Sequence, residues 1–336
     1  MDIANSLPVL WFGVIGFAVC MYVLMDGFVL GIGILTPFAP RDETFDEMMT
    51  SAAPVWDGNE TWLVLGGAGL LAAFPKAYAV MLSGLYLPVL LMLIALVLRG
   101  VSFEFRFKAQ RSRHLWRLCF ALGSVGAAFA QGVMLGAIVE GMPLEGGKYL
   151  GGPFAWFSPF SMLTGVALVF GYALLGTAWL IWKCTGETQQ IARLVTQPLI
   201  LVVLAFIGLV STWLPFLRSD VMARWFDGMN FWWLSPLPLL VVFNALAAWR
   251  AVHREPEHRP FLHAIAFFLL GFVGLLVGLW PNLIPPDLDI YSAAAPPSSQ
   301  GFVMVGIVLI LPSVLGYTWW SYRVFRGKVT GHTAYH

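Results

Sequence analysis

Residues 8–36 read PVLWFGVIGFAVCMYVLMDGFVLGIGILT, and this stretch decides the fold class. It contains one charged side chain, Asp26. Because a membrane-spanning helix needs about 20 predominantly apolar residues, the stretch is long enough to cross a bilayer. Eight similar blocks follow, which predicts one all-α integral membrane domain over residues 1–336, with nine transmembrane helices in two four-helix groups plus one extra helix. The predicted spans lie near residues 8–36, 51–73, 77–98, 115–139, 158–183, 198–217, 230–249, 261–280 and 301–325.

The composition of the whole chain supports this class. Hydrophobic residues make up 59% of the 336 residues and charged residues 11%, whereas soluble domains carry about 25% charged residues. The chain therefore has too few charges to cover a soluble globule of its size. A formal net charge of +1 gives no reason to expect nucleic acid as a partner.

The distribution of lysine and arginine predicts the orientation. With nine spans, 15 of the 19 basic residues fall on one side of the membrane. Since basic residues accumulate in cytoplasmic loops, the N-terminus is predicted outside and the C-terminus in the cytoplasm. The basic segment from Arg99 to Arg117 is one of these loops, and Glu104 and Arg106 within it are expected to face water or lipid headgroups.

The positions of the histidines bear on whether this chain binds haem, which is ligated by imidazole or thioether side chains. Only His263 lies inside a predicted span, near its cytoplasmic end. The others fall in cytoplasmic loops or the tail: His114, His253, His258, His332 and His336. The sequence therefore predicts that this chain carries no haem and no metal of its own.

Two carboxylates stand out because each lies inside an apolar block, where an ionisable group is costly and marks a functional site. At about 1.5 Å per residue, Asp26 lies roughly 15 Å from the cytoplasmic face and Asp57 roughly 9 Å. Glu60 follows Asp57 on the same helical face, with Asn59 beside it. With no Lys or Arg expected in a helix interior to pair with Asp26, the residues Asp57, Asn59, Glu60 and Asp26 predict a proton path from the cytoplasm.

Simpler interpretations of these residues remain open. Asp57 could complement the dipole of its helix, while Asn59 and Glu60 could bind backbone groups or interfacial water. A secondary transporter would also carry carboxylates at the bilayer midplane, although no second DG motif occurs in the C-terminal half. The chain could equally be a purely structural membrane partner.

Several motifs together resemble a known family, subunit II of cytochrome bd-type quinol oxidases. They are Asp26-Gly27-Phe28 with Gly31; Pro54, Trp56, Asp57, Gly58, Asn59 and Trp62; Phe74-Pro75 with Tyr78; and Arg99-Gly100 with Phe103 and Arg106. The match is most specific in the first hundred residues and rests on hydropathy beyond about residue 110. In its short length the chain is similar to the cyanide-insensitive branch of the family.

The resemblance implies a subunit of a respiratory oxidase in the bacterial inner membrane. Such oxidases couple quinol oxidation to reduction of O2 to water without pumping, and their haems lie in subunit I. Subunit II is then a haem-free partner whose Asp26 and Asp57 match acids assigned to a proton path. Some members carry a second acid where this chain has Val29. Some members hold a structural quinone, which no residue here marks, and a small accessory subunit is a further partner to consider.

Overall fold

The computed structural model describes residues 3–329, with side chains from Ser6 onward, and is helical apart from two short β-hairpins. Its α-helices are α1 Ile3–Leu35, α2 Asp42–Ala52, α3 Trp56–Ala73, α4 Pro75–Phe105, α5 Arg113–Glu140, α6 Pro159–Lys183, α7 Gly186–Leu217, α8 Ser219–Phe226, α9 Asn230–Leu234, α10 Pro236–Ala251, α11 Arg259–Leu279 and α12 Pro297–Val324. The hairpins pair β1 (Leu144–Glu145) with β2 (Lys148–Tyr149), and β3 (Asn282–Ile284) with β4 (Leu288–Asp289). His332 and His336 lie outside the described residues.

Eight helical segments in the described part of the chain are long and apolar enough to cross a membrane. They contain α1, α4, α5, α6, α7, α9 with α10, α11 and α12. The remaining predicted span corresponds to α3, which has 18 residues and polar side chains in its first turns. At about 1.5 Å per residue it is roughly 27 Å long. The chain is therefore an all-α, multi-pass membrane protein, and the ninth span stays a prediction.

Several segments predicted as loops are helical. Residues 42–50 belong to α2, which ends at Ala52 inside the predicted span 51–73, and residues 219–226 form α8. Helix α7 begins at Gly186 rather than near 198, and α4 continues to Phe105 rather than ending at 98. The predictions were wrong at these positions because hydropathy detects only the apolar part of a helix. Polar residues extend a helix beyond that part when their side chains find partners or water.

Helix α1 packs against α3, α5 and α6. Its contact with α6 is close because small residues face each other there: a Cβ atom on Gly31 would lie 1.8 Å from the carbonyl oxygen of Tyr172. A Cβ on Gly176 would lie 2.5 Å from the carbonyl carbon of Gly31, and one on Gly27 2.6 Å from the Tyr172 ring. Small residues allow helix backbones to approach closely in membranes. The backbone around Asp26 is thus held against α6.

Arg106 is buried, which corrects the prediction that it faces water or headgroups. Its side chain is 1% exposed at the end of α4, and its guanidinium lies 4.9 Å from the ring centroid of Phe45 on α2. Two carboxylates of α2 compensate its charge, Asp42 at 3.3 Å and Asp46 at 3.0 Å. Burial raises the pKa of Asp46, and the Arg106 guanidinium opposes that rise. Glu104 is exposed, as the sequence indicated.

At the other end of the bundle, the side chain and the main-chain carbonyl of one buried glutamine, Gln300, join three helices. The Gln300 side chain on α12 donates to the carbonyl of Ala73 at the end of α3 over 2.9 Å. The indole of Trp11 on α1 donates to the Gln300 carbonyl over 3.2 Å. This pair of bonds holds the ends of α1, α3 and α12 together.

Candidate functional site

Asp26 lies nearly three-quarters of the way along α1, and its side chain is fully buried. Its carboxylate accepts two hydrogen bonds from one guanidinium: Arg99 Nη1 donates to Oδ1 over 2.7 Å and Arg99 Nη2 to Oδ2 over 3.2 Å. Arg99 is itself 0% exposed and belongs to α4. A bidentate pair of this kind combines a strong charge interaction with fixed geometry.

This pair overturns the expectation that Asp26 has no basic partner in a helix interior. The sequence analysis placed Arg99 in the loop after the third span, because an arginine at the edge of an apolar block ordinarily marks its end. The helix instead continues through Arg99 to Phe105, since two acids on neighbouring helices compensate the buried charge. A buried arginine is tolerated only when paired in this way.

Glu60 is the second acid bound to Arg99. Its carboxylate accepts a hydrogen bond from the same Nη2 atom that donates to Asp26. The Glu60 side chain is 30% exposed, in contrast to the complete burial of Asp26. The Arg99 guanidinium also lies 5.7 Å from the ring centroid of Trp56 at the start of α3. Arg99 therefore joins a partly exposed acid on α3 to a buried acid on α1.

Asn59 lies beside this cluster and holds three helices together. Its side chain is 2% exposed; Nδ2 donates to the Met25 carbonyl of α1 over 2.7 Å, and Oδ1 accepts from the Tyr322 hydroxyl of α12 over 3.1 Å. The bond to Met25 matches the simpler interpretation of Asn59 as a residue bound to backbone. It fixes the position of α3, and hence of Glu60, relative to Asp26.

Asp57 is the predicted acid that forms no ion pair with Arg99 among the described residues. It lies in the first turn of α3, where a carboxylate complements the helix dipole, and its side chain is exposed. The adjacent Gly58 lies against the ring of Tyr317 of α12, which a Cβ would approach to 3.2 Å. Asp57 and Glu60 interact electrostatically. Asp57 thus occupies the exposed end of the group of acids.

A second polar network, which was not predicted from the sequence, lies beside Asp26. Gln131 on α5 donates from Nε2 to the Tyr22 hydroxyl over 2.8 Å, and its Oε1 accepts from the Tyr172 hydroxyl over 2.8 Å. Tyr22 is one helical turn before Asp26, and both tyrosines interact electrostatically with that carboxylate. The amide of Gln131 within an apolar span was the available signal. Val29, at the position where the family resemblance implies a second acid in some members, is buried.

His263, the histidine predicted to lie within a span, contacts an amide. Its Nδ1 is 2.8 Å from Oδ1 of Asn244, and Nδ2 of Asn244 donates to the His263 carbonyl over 3.0 Å. These bonds join α10 to α11. Within residues 3–329, no group of three or more His, Cys, Asp or Glu side chains is placed to hold a metal ion. That this chain binds no haem stays a prediction.

Comparisons with known proteins agree with the motifs. The family model described as cytochrome bd terminal oxidase subunit II matches residues 7–325. The cytochrome bd-I ubiquinol oxidase subunit 2 of Escherichia coli K12 is 28% identical, with 96% of this chain and 95% of that protein aligned. The cytochrome bd ubiquinol oxidase subunit 2 of Bacillus subtilis is also 28% identical, with 97% of each chain aligned.

The fold matches a solved structure. The bd oxidase structure from Geobacillus thermodenitrificans aligns with a TM-score of 0.80 and 16% sequence identity, covering 95% of this chain and 98% of that chain. The likeness supports the helical architecture, while the family model supports the assignment. The chain belongs to the cytochrome bd terminal oxidase subunit II family, and is thus a subunit of a respiratory quinol oxidase.

Proposed function

We propose that this chain is the haem-free subunit II that supports a haem-bearing subunit I and conducts protons to it from the cytoplasm, for reduction of O2 to water without pumping. The path runs from Asp57 through Glu60 to Asp26, with Asn59 as a positioning residue. One observation carries the proposal: a partly exposed acid and a fully buried acid are bound to the same nitrogen atom of Arg99.

The charges of the site suit a proton carrier. An arginine keeps its charge in proteins, so the two acids and Arg99 sum to one negative charge when both acids are ionised. The excess charge lies inside an apolar bundle, where an uncompensated carboxylate costs several kcal/mol. Binding one proton removes that charge. The site therefore favours uptake of a single proton, which reaches Glu60 by way of Asp57.

The proposed membrane topology follows from the basic residues. We propose a single domain of nine spans, with α3 as the second span, in two four-helix groups plus one extra helix. The N-terminus is outside and the C-terminus cytoplasmic, since 14 of the 18 Lys and Arg residues other than the buried Arg99 fall on the C-terminal side. In this arrangement Asp57, at the start of α3, lies nearer the cytoplasm than Asp26. The membrane is the bacterial inner membrane.

The exposed face of α3 indicates that another protein covers it. Asp57 is exposed, Glu60 is 30% exposed, and the same face continues through Thr61, Val64 and Leu71. Facing lipid would leave a carboxylate in hydrocarbon, so a protein surface is the favourable cover. Subunit I is the proposed occupant. A bound quinone or lipid and a small accessory subunit are compatible with this assignment.

Two other functions were considered from the sequence, a secondary transporter and a purely structural partner. A transporter would work alone, whereas subunit II copurifies with a haem-rich chain. Absorption spectra of the purified complex and of this chain alone separate these cases. We expect the haem bands only in the complex, and haem bound to the isolated chain would contradict the haem-free assignment.

Proton conduction is tested by Glu60→Gln and Asp57→Asn in the intact oxidase. Each substitution removes a proton-binding group, so we expect quinol oxidase turnover to fall at least about tenfold, with haem content unchanged. A tenfold loss corresponds to about 1.4 kcal/mol in the barrier. The control is Glu187→Gln, which changes an exposed acid paired with Arg41 outside the site.

The outcomes separate the two acids. Full turnover of Asp57→Asn would leave Asp57 as a helix-dipole partner only. Wild-type turnover and wild-type proton uptake in Glu60→Gln would refute the proposed path and favour the purely structural role.

A further inference from the structure

We infer that Arg99 is a positioning residue that alternates between Asp26 and Glu60, so that the two acids exchange one proton at a time. The inference rests on the proposed proton path and adds a mechanism to it. Arg99 itself binds no proton in this scheme. It acts by compensating whichever acid is ionised.

One nitrogen atom of Arg99 serves as donor to both acids. Nη2 of Arg99 lies 3.2 Å from Oδ2 of Asp26 and also donates to Oε1 of Glu60. Two oxygens bonded to one nitrogen lie within roughly 6 Å of each other, the sum of two hydrogen-bond lengths. A small rotation of the guanidinium is therefore enough to transfer its donors from one acid to the other.

The guanidinium of Arg99 has the freedom to turn. Its Nη atoms are the donors to the acids, while Nε is buried and has no hydrogen-bond partner among the described residues. The flat ring of Trp56 lies beside the guanidinium at 5.7 Å and offers a surface along which the group can turn. Tight anchoring of Nε would have prevented such a rotation.

Protons and charges balance in the exchange. A proton that arrives by way of Asp57 binds the Glu60 carboxylate, and Arg99 then pairs with Asp26 alone. When Arg99 turns towards Glu60, the Glu60 O–H bond breaks and one bridging water relays a proton, so that an O–H bond forms on Asp26. Glu60 is again a carboxylate, now paired with Arg99. The cluster contains one cation, one carboxylate and one neutral acid before and after the transfer.

Among the described residues, the helices packed around Asp26 and Glu60 carry no second cation that faces these acids. The titratable groups that interact with them are Tyr22 on α1, Asp57 on α3, Tyr172 on α6 and Tyr322 on α12. Tyrosine ordinarily ionises near pH 10, so the three tyrosines stay neutral at physiological pH. Asp57 is an acid and adds no positive charge. Removing Arg99 therefore removes the charge compensation of both acids.

The test compares Arg99→Gln, Arg99→Lys and Glu60→Gln in the complete two-subunit oxidase. The readouts are haem content, quinol oxidase turnover and its pH profile, and proton uptake in proteoliposomes. Without the cation, ionisation of both adjacent acids is less favourable, so the pair keeps one proton up to a higher pH. For Arg99→Gln we expect turnover at pH 7 to fall at least about tenfold, and the alkaline limb of the profile to move at least about one unit upward. Arg99→Lys keeps the positive charge but loses the paired donors of the guanidinium. We therefore expect a smaller shift of its alkaline limb and a turnover between those of wild type and Arg99→Gln.

Arg106→Gln is the matched control. Arg106 is the buried arginine that directly follows α4; it pairs with acids of α2 instead and lies outside the proposed path. Its loss is expected to leave the position of the alkaline limb unchanged. A purely structural role of Arg99 would lower the haem content of its variants without moving the limb.

The outcomes distinguish this inference from the proposed path. If Glu60→Gln is inactive while the limb of Arg99→Gln coincides with wild type, the exchange by Arg99 is refuted and the path stands. Wild-type turnover in Glu60→Gln refutes both. If Arg99→Gln fails to assemble, Arg99→Lys decides: a shifted limb with normal haem content supports the exchange, and a wild-type limb refutes it.

Discussion

The close contact between α1 and α6 gives a prediction whose size follows from the structure. Replacing Gly31 by alanine places a Cβ 1.8 Å from the Tyr172 carbonyl oxygen, whereas ordinary contacts begin at 3.4 Å. The helices must therefore separate by about 1.6 Å, the difference between these distances. The obstructing atoms are backbone, so no side-chain rotation relieves the clash.

The expected energy is the balance of two effects. Overpacking costs typically about 1–3 kcal/mol, and a backbone obstruction belongs at the upper end. Alanine favours a helix over glycine by about 1 kcal/mol. We expect Gly31→Ala to destabilise the oxidase by about 2 kcal/mol. The matched control is Gly13→Ala on the same helix, where no atom lies within 4 Å of the added Cβ.

The assay measures thermal stability of the purified complex and its turnover. A loss of about 2 kcal/mol should lower the apparent melting temperature by several degrees, while Gly13→Ala stays at or slightly above wild type. Because Asp26 lies five residues from Gly31 on α1, turnover should fall as well. If Gly31→Ala matched Gly13→Ala in melting temperature and turnover, the reasoning from this helix contact would be wrong.

Two further predictions concern residues that position the helices. Asn59→Leu removes the bonds to the Met25 carbonyl and to Tyr322; we expect turnover to fall with haem retained, and unchanged turnover would show that α3 is held by packing alone. Glu257 forms an ion pair with Lys328. Burial raises the pKa of the Glu257 carboxyl, but the bond to Lys328 lowers it, and the net pKa lies below its ordinary value. A lowered pKa stabilises the folded state above the unfolded pKa, near 4.3, and this stabilisation is lost as pH falls through the lowered value. Proteolysis of the C-terminal segment should thus be slow at pH 7 and faster in acid, and Glu257→Gln should cleave equally fast at both; a wild-type pattern in that variant would contradict the prediction.

The membrane class, most helix positions and the two acids were accessible from sequence, because each depends on local composition. A long apolar block excludes a soluble fold wherever its neighbours lie, and Asp26 is conspicuous in such a block for the same reason. The assignment of α2 and the length of α4 were not accessible. They depend on partners for Asp46, Arg99 and Arg106 that come from other helices.

The site divides in the same way. The residue types and their places along α1 and α3 came from the sequence, whereas the partner of Asp26 lies 73 residues away on α4. Nothing local marks Arg99 as buried, since an arginine beside an apolar block ordinarily ends a span. The separation of the exposed Asp57 from the bound Glu60 also depends on how α3 turns towards α1 and α12.

By itself, the sequence determined that this protein is a multi-pass helical membrane protein with costly acids in its spans. Hydrophobicity is a property of each segment and needs no knowledge of the neighbours. Only the tertiary structure decided that one buried arginine serves two acids. The pairing of charges depends on distances between side chains of different helices, and only helix packing sets those distances.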